Sequence, residues 1–400
     1  MDIRISQRVQ NLKPSATLAI DARAKELIAQ GIDVVNLGAG EPDFRTPAPI
    51  CDAAIAAIKD GFTKYTPVTG TLDLRNAIAT ALKRDQNLTY DATKEIMVSV
   101  GAKHALYNFF LATLDRDDEV ILPAPYWVSY PDMIGLAGAK TLAVKGDMAK
   151  GFVPDPDDMK KAVTAKTRAI VLNSPCNPTG AGYSREWIEA IAKIAIDRGL
   201  LIVSDEIYRD IVYDGFVNTS PAEISADAKA HTILVNGVSK TYAMTGWRIG
   251  FTAGDARVIK AMGTLQGQST SNPTSIAQVA AAAAFLADRS IVTDMVAEFR
   301  RRMEFVVKGL NDIPGVKCFR PRGAFYVFPD VSAHFGKSHA GKKITHSGEL
   351  ANYLLEVGRV AAVSGAPFGA DGHIRISFAT SMSNLEKAIS RIGEALGKLA

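Results

Sequence analysis

Between Thr232 and Gly250 the chain reads TILVNGVSKTYAMTGWRIG. The β-branched, apolar opening Thr232 to Val235 has the composition of a buried strand, and Asn236-Gly237 ends it. Ser239-Lys240 follows at once, with Thr245-Gly246-Trp247 and then Arg248 behind it. In α/β folds, ligands gather outside the carboxyl ends of the strands, which is where Lys240 falls. A lysine desolvated there, with a cation such as Arg248 beside it, loses its proton more easily and becomes a nucleophile toward carbonyls. Arg248 can also fork onto a phosphate. One Ser-Lys alone is more simply a surface pair, since lysines are mostly exposed. The neighbouring strands therefore decide.

Upstream, apolar runs recur, each ending in a polar or glycine-rich turn. Ile96 to Val100 leads into Gly101-Ala102-Lys103 and a helix from His104 to Leu114. A glycine-led helix start offers free backbone N–H groups to an anion. Glu119 to Leu122 ends at Pro123-Ala124-Pro125-Tyr126-Trp127, where Trp127 can stack on a flat ring or simply join the core. Arg168 to Leu172 runs into Asn173-Ser174-Pro175-Cys176-Asn177-Pro178-Thr179-Gly180, a rigid turn able to present the Asn177 amide. After a helix from Arg185 to Asp197, Leu200 to Ser204 ends in Asp205-Glu206-Ile207-Tyr208. An aspartate directly behind an apolar strand is costly to bury unless it meets a cation.

Strands thus alternate with helices from about residue 95 to 250. That pattern predicts an α/β fold whose mostly parallel sheet is covered by helices on both faces. Earlier, helical periodicity spans residues 18–28, 50–59 and 72–83, with a short strand at Val34 to Leu37. Gly38-Ala39-Gly40 begins like a dinucleotide fingerprint, but Asp43 stands where the third glycine belongs and Pro42 interrupts the helix. Beyond Ala253 helices are predicted at 273–286 and 291–310, with Arg300-Arg301-Arg302 as a solvated face. Strands follow at 323–328 and 373–378, and Phe335 to Gly348 reads as a polar loop. Arg375 alternates with apolar neighbours, so it is expected to point inward and to want a carboxylate. The expected domains are an N-terminal arm with part of a small domain (1–48), a large domain (49–287) and a small C-terminal α+β domain (288–400).

Composition fits a globular protein: 47% hydrophobic, 22% charged, net charge +4. Charges of both signs are mixed, which argues against a nucleic-acid surface. Cys51, Cys176 and Cys318 are far apart, as in a reducing compartment. With no apolar run suited to a secretory signal or a membrane span, the expectation is a cytoplasmic protein. His334, His339 and His346 match no metal spacing, and no metal is expected.

Taken together, the strand ends offer an amine, a buried aspartate, ring-oxygen partners, a stacking tryptophan and a phosphate cradle. Pyridoxal phosphate requires that set. At this point the sequence resembles the fold type I, class I aminotransferases, and within them the bacterial subgroup Ib aspartate and aspartate-prephenate aminotransferases. The resemblance runs over nearly the whole chain, through KPSAT, GAGEPDF, YWVSYP, NSPCNPTG, SDEIY, SK…MTGWRIG, GAFYVF and HIRISFA. It implies that Lys240 binds the cofactor covalently and moves the substrate α-proton, and that Asp205 holds the pyridine nitrogen. It implies that Asn177 and Tyr208 bond the ring hydroxyl while Trp127 stacks on the ring. Gly101, Ala102, Ser239 and Arg248 would hold the phosphate, with Tyr65 reaching in from the second subunit of a homodimer. Arg375 would clamp the substrate α-carboxylate beside the Gly40 backbone. Lys103 would take the distal carboxylate, with Ser15 and Thr17 nearby, and Lys13 would matter for prephenate. The one departure from a frequent pattern is Cys176 in NSPCNPTG, where asparagine is common. The implied reaction is ping-pong transfer between L-aspartate and 2-oxoglutarate, with prephenate as a second substrate.

Three alternatives stay open at this level. They are an aminotransferase for another amino acid or a β-lyase, a cofactor-holding sensor of a transcription regulator, and a nicotinamide oxidoreductase. The second wants a DNA-binding segment that no pattern here suggests, and the third is weakened by the broken fingerprint.

Overall fold

The computed structural model describes residues 3–12 and 16–400. Its centre is a seven-stranded sheet made of β1 (Ile96–Ser99), β2 (Glu119–Ala124), β3 (Lys140–Lys145), β4 (Thr167–Asn173), β5 (Leu201–Asp205), β6 (Thr232–Gly237) and β7 (Gly250–Ala253). The spatial order is β1-β7-β6-β5-β4-β2-β3. Only β7 runs against its neighbours; the other paired strands are parallel. The reason is local. Between β6 and β7 the chain forms a single tight helical turn, Thr245–Trp247, too little for a crossover, so it returns antiparallel.

Strand periodicity sorts the side chains. Val120, Leu122, Val171 and Val203 pack with Leu106, Phe109 and Met262 on one face. Their sequence neighbours Ile121, Ile170, Leu172 and Ile202 pack with Trp187, Ile188 and Ile191 on the other. Helices Ala102–Thr113 and Ala256–Gly267 therefore cover one side and Arg185–Arg198 the other. Both faces are dry, which explains why these strands read as continuous apolar runs.

The N-terminal segment joins the last third of the chain: Val35–Asn36 pairs in parallel with Val360–Ala361. Beside them Ile374–Ser377 is the middle strand of a three-stranded antiparallel sheet, between Val363–Ser364 and Tyr326–Val327. Among the described residues no single helix is long and apolar enough to cross a membrane.

Three expectations need correction. Arg302 is not a solvated residue. It is 6% exposed, with Nη1 on Asp43 Oδ1 at 2.7 Å and Nε on Glu298 Oε1 at 2.8 Å. The run sits on helix Ser290–Asn311, and helical spacing turns the third arginine toward the core while Arg300 and Arg301 stay outside. The segment 335–348 is not wholly loop, since Ser338–His339 and Lys342–Lys343 form a small hairpin. The strand expected at 323–328 shrinks to Tyr326–Val327, because Ala324 adopts φ +58 and breaks the extended geometry.

Candidate active site

Register brings the strand ends together. Asn173 pairs across β4–β5 with Asp205, and Asp205 pairs across β5–β6 with Val235. The loops after these strands open into one cavity of about 240 Å³, lined by Lys103, Trp127, Asn177, Asp205, Tyr208, Lys240, Arg248 and Arg375 among others. Gly40, Ala102, Ser239 and Thr17 also line it.

Lys240 donates from Nζ to the Gly40 carbonyl at 2.6 Å. Burial lowers its pKa to about 8; Glu41 opposes that shift, while Arg248 and Arg375 add to it. The cation effect foreseen for Arg248 is therefore present but smaller than desolvation. Asp205 is 4% exposed and accepts the Tyr130 hydroxyl at 2.6 Å. Burial pushes its carboxyl up to about 6, against the pull of the Tyr130 hydroxyl and the Ile207 amide. The Asn173 side chain donates to the Asp205 carbonyl at 3.0 Å and accepts the Asn177 amide at 2.8 Å, locking two strand ends together.

Arg375 is 1% exposed. Its Nη1 donates to Asn177 Oδ1 at 3.1 Å and its Nη2 to the Gly38 carbonyl at 2.7 Å. Its guanidinium lies 4.6 Å from the Tyr326 ring centre and 5.4 Å from that of Phe368. Among the described residues it has no carboxylate partner, and its Nε has no hydrogen bond. A buried cation so placed is held ready for an anion from outside. Tyr208 shares a 2.9 Å hydrogen bond with the Tyr326 hydroxyl. Lys103 Nζ sits 4.9 Å from the Trp127 ring centre, and burial and Arg248 both lower its pKa.

The helix start is shaped for a ligand. Gly101, at φ +82, caps helix Ala102–Thr113. A Cβ on it would come within 2.5 Å of Arg248 Nη2. A Cβ on Gly250 would come within 2.2 Å of the Ala102 amide nitrogen. Gly101 lets Arg248 approach the helix start, and Gly250 lets the strand pack against the Gly101-Ala102 backbone there. Arg248 itself adopts φ +56, an uncommon conformation for a side-chain-bearing residue and one that recurs at functional sites.

These residues fit pyridoxal phosphate. The helix start, Ser239 and Arg248 suit its phosphate, and the buried Asp205 carboxylate suits a protonated ring nitrogen. Asn177 has its oxygen taken by Arg375, which leaves its NH₂ to donate. Tyr65 stands apart. It is 93% exposed and does not line the cavity of its own chain. Lys13 and Ser15 lie outside the described residues.

Sequence reasoning gave no role to Tyr130, Tyr326, Asn173 or the Gly38 carbonyl. Tyr326 stands in a strand pattern where an aromatic residue reads as core, Tyr130 lies on a helix, Ser129–Leu136, that the sequence did not suggest, and only their partners reveal the hydroxyls' use. Among the described residues no group of three His, Cys, Asp or Glu is placed to hold a metal ion.

Residues 32–392 match the sequence family described as aminotransferase class I and II. The chain is 48% identical over 399 residues to the aspartate/prephenate aminotransferase of Nitrosomonas europaea, spanning 98% of this chain and 100% of that one. The crystal structure of the aspartate aminotransferase from Rhizobium meliloti is similar at TM-score 0.96 and 40% identity, over 100% of both chains. The aspartate aminotransferase of Thermus thermophilus with maleate gives TM-score 0.92 at 43% identity, over 98% of this chain and 100% of that one.

Proposed function

The chain belongs to the class I and II aminotransferases, pyridoxal-phosphate enzymes, and we propose that this one moves an amino group between L-aspartate and 2-oxoglutarate. The observation that carries the substrate class is Arg375, buried in the cavity wall with an unpartnered Nε, while a second cation, Lys103, lines the same space. One carboxylate suits the fork of Arg375 and a second suits Lys103. The Thermus thermophilus relative was solved with maleate, also a dicarboxylate. Prephenate, a larger dicarboxylate, is proposed as a second substrate, in line with the name of the Nitrosomonas europaea relative. Thr17 and Leu18 also line the cavity.

When bound, the cofactor supplies a conjugated ring that stores the electron pair left by the departing α-proton. The remaining work falls to the chain. Lys240, with a pKa of about 8, has a neutral fraction at neutral pH, so its Nζ can take the α-proton and later give it back. Asp205, oriented by Tyr130, keeps a proton on a ring nitrogen set against it. Asn177 and Tyr208 would hold the ring oxygen, and Trp127 would cover the ring. Gly101, Ala102, Ser239 and Arg248 neutralise the phosphate. Arg375 and the Gly40 backbone would fix the α-carboxylate in the cavity that Lys240 also lines, within reach of its amine.

A homodimer is proposed as well. It would place the exposed Tyr65 in the cavity of the second subunit, and Ile55, Ile58, Phe62 and Leu72, near it in sequence, are exposed apolar residues that an interface would cover. We retain the division at 48/49 and 287/288, and a cytoplasmic setting that suits three free cysteines.

The test is the visible absorption spectrum of the purified holoenzyme before and after L-aspartate. Loss of the yellow band, restored by 2-oxoglutarate, is expected. A band indifferent to aspartate would move the assignment to another amino acid or to a lyase.

A further inference from the structure

Asp210 lies just beyond the site, past Tyr208, and joins two distant parts of the chain. Its Oδ2 accepts the Thr241 hydroxyl at 3.1 Å and lies 3.1 Å from Arg289 Nη1, a charge contact without hydrogen-bond alignment. Thr241 directly follows Lys240 and is 2% exposed. Arg289 occupies the break between helices Ser275–Leu286 and Ser290–Asn311, where the chain bends by 82°. Its Nη2 pairs with Asp85 at 2.5 Å, and Asp85 also holds Arg84 at 2.7 Å. Beside the cluster a cavity of about 30 Å³, lined by Gln86, Arg209, Asp210, Tyr242 and Arg289, has room for on the order of two waters. On the cluster's other side an open cavity of about 490 Å³ borders Asp85, Asp210 and Arg289, so solvent reaches the ion pairs, whereas Thr241 lies buried behind them.

A hinge ion pair could serve stability alone, but the turn it grips is weakly held by its own backbone. Its bonds are long: Tyr242 N to Val238 O at 3.3 Å, Ala243 N to Lys240 O at 3.4 Å and Met244 N to Ser239 O at 3.2 Å. Ala243 also adopts φ +51, which an alanine does not favour. Side chains tether it from both ends: Thr46 Oγ1 donates to the Ala243 carbonyl at 2.9 Å, and Asp210 holds Thr241, the residue next to Lys240. We propose that Asp210 is a positioning residue for Lys240: anchored by Arg289, its carboxylate holds Thr241 and through it the placement of the Lys240 amine. The proposal rests on the reading of Lys240 as the proton-moving group.

Four holoenzyme variants test it: Thr241→Val, Thr241→Ser, Asp210→Ala and the double variant Asp210→Ala/Thr241→Val. Valine matches threonine in shape, so Thr241→Val removes the hydrogen bond without opening a cavity. Expected is a fall of about tenfold in the single-turnover rate with saturating L-aspartate, with the apparent Kd for aspartate within about twofold. Thr241→Ser should restore the rate, and the double variant should be no worse than either single one, because the two residues act as one link. Hydrogen–deuterium exchange over residues 238–244 should quicken in Thr241→Val and return to normal in Thr241→Ser. An unchanged rate in Thr241→Val, a loss confined to Kd, a serine variant as poor as valine, or losses that multiply in the double variant would overturn the proposal. If Asp210→Ala does not fold, the valine and serine pair decides alone. Lys240→Ala run alongside separates the two levels: turnover in it would overturn the site assignment itself, whereas its silence beside a normal Thr241→Val overturns only the tether.

Discussion

Arg375 Nη1 donates to Asn177 Oδ1 at 3.1 Å. One hydrogen bond thus joins the cation proposed for the substrate carboxylate to the amide proposed for the cofactor ring oxygen. On those proposed roles, a carboxylate drawing on Arg375 would be felt at the Asn177 amide, which would couple substrate binding to the ring through this contact. Replacing Arg375 by lysine removes the fork. We expect kcat/KM for L-aspartate to fall by about 100-fold, near 2.7 kcal/mol, with most of the change in KM. Asn177→Ala strips Nη1 of its acceptor and should raise KM as well as shift the pH titration of the visible band. A lysine variant with unchanged KM would remove Arg375 from the carboxylate role.

Asp205 makes the apoprotein's stability depend on pH. Its carboxyl is raised to about 6 by burial. The folded chain therefore holds this proton more tightly than the unfolded one. The contribution is full below about 3.9 and is lost as pH rises through about 6. Asp205→Asn removes the dependence. Between pH 4 and 7 the stability of the parent relative to this variant should drop by at most about 3 kcal/mol, since a shift of about two units is worth that much. Denaturant titration of both apoproteins at the two pH values measures it, and a constant difference would contradict the raised pKa.

Lys103 should discriminate by charge. With its Nζ over the Trp127 ring and its stem along the cavity, Lys103→Ala is expected to lower kcat/KM for L-aspartate by about tenfold or more. L-alanine, lacking the distal carboxylate, should lose less than about twofold. Equal losses for both amino acids would place Lys103 elsewhere in the mechanism.

Gly101→Ala probes the phosphate cradle. The new Cβ would meet Arg248 Nη2 at 2.5 Å, in a backbone conformation at φ +82 that alanine resists. Arg248 must move off the helix start. Cofactor affinity, followed by titrating the apoprotein with pyridoxal phosphate, should weaken by about tenfold or more while the fold survives.

Arg302 should be structural. Arg302→Ala leaves the Asp43 and Glu298 carboxylates without their shared partner at a packed helix face. A loss of about 2 kcal/mol in unfolding free energy at pH 7 is expected, discounted because both carboxylates are partly solvated. Arg301 and Arg302 hold the Glu298 carboxyl down to about 2. That contribution exists above about pH 4.5 and is lost as pH falls through about 2, so the cost of the variant should shrink in acid.

Five strands of the sheet were legible because both faces are dry over them; the exposed edge strand Lys140–Lys145 and the short Gly250–Ala253 were not. Val120-Ile121-Leu122 and Ile202-Val203 must be apolar at every position when helices cover both sides, and that leaves continuous runs in the sequence. The groups at the strand ends were legible for the converse reason: Asp205 and Lys240 are charged residues just behind buried runs, where a charge is costly unless it is used. Arg302 was misread because a run of three arginines looks uniform until the helix turns one of them inward. Tyr130 and Tyr326 were missed because a tyrosine is as good a core residue as a phenylalanine until its hydroxyl has a partner.

The sequence by itself determined the strand–helix alternation, the chemistry available at each strand end and, through its motifs, the family. Those properties follow from local patterning and residue type, which no folding partner can change. Only the tertiary structure decided which of those groups meet. Lys240 faces Gly40 across two hundred residues, Arg375 reaches Asn177 and Gly38, and Asp210 ties Thr241 to Arg289. The pKa values of Asp205 and Lys240 were likewise decided there, because desolvation depends on everything packed around a group and not on its neighbours in the chain.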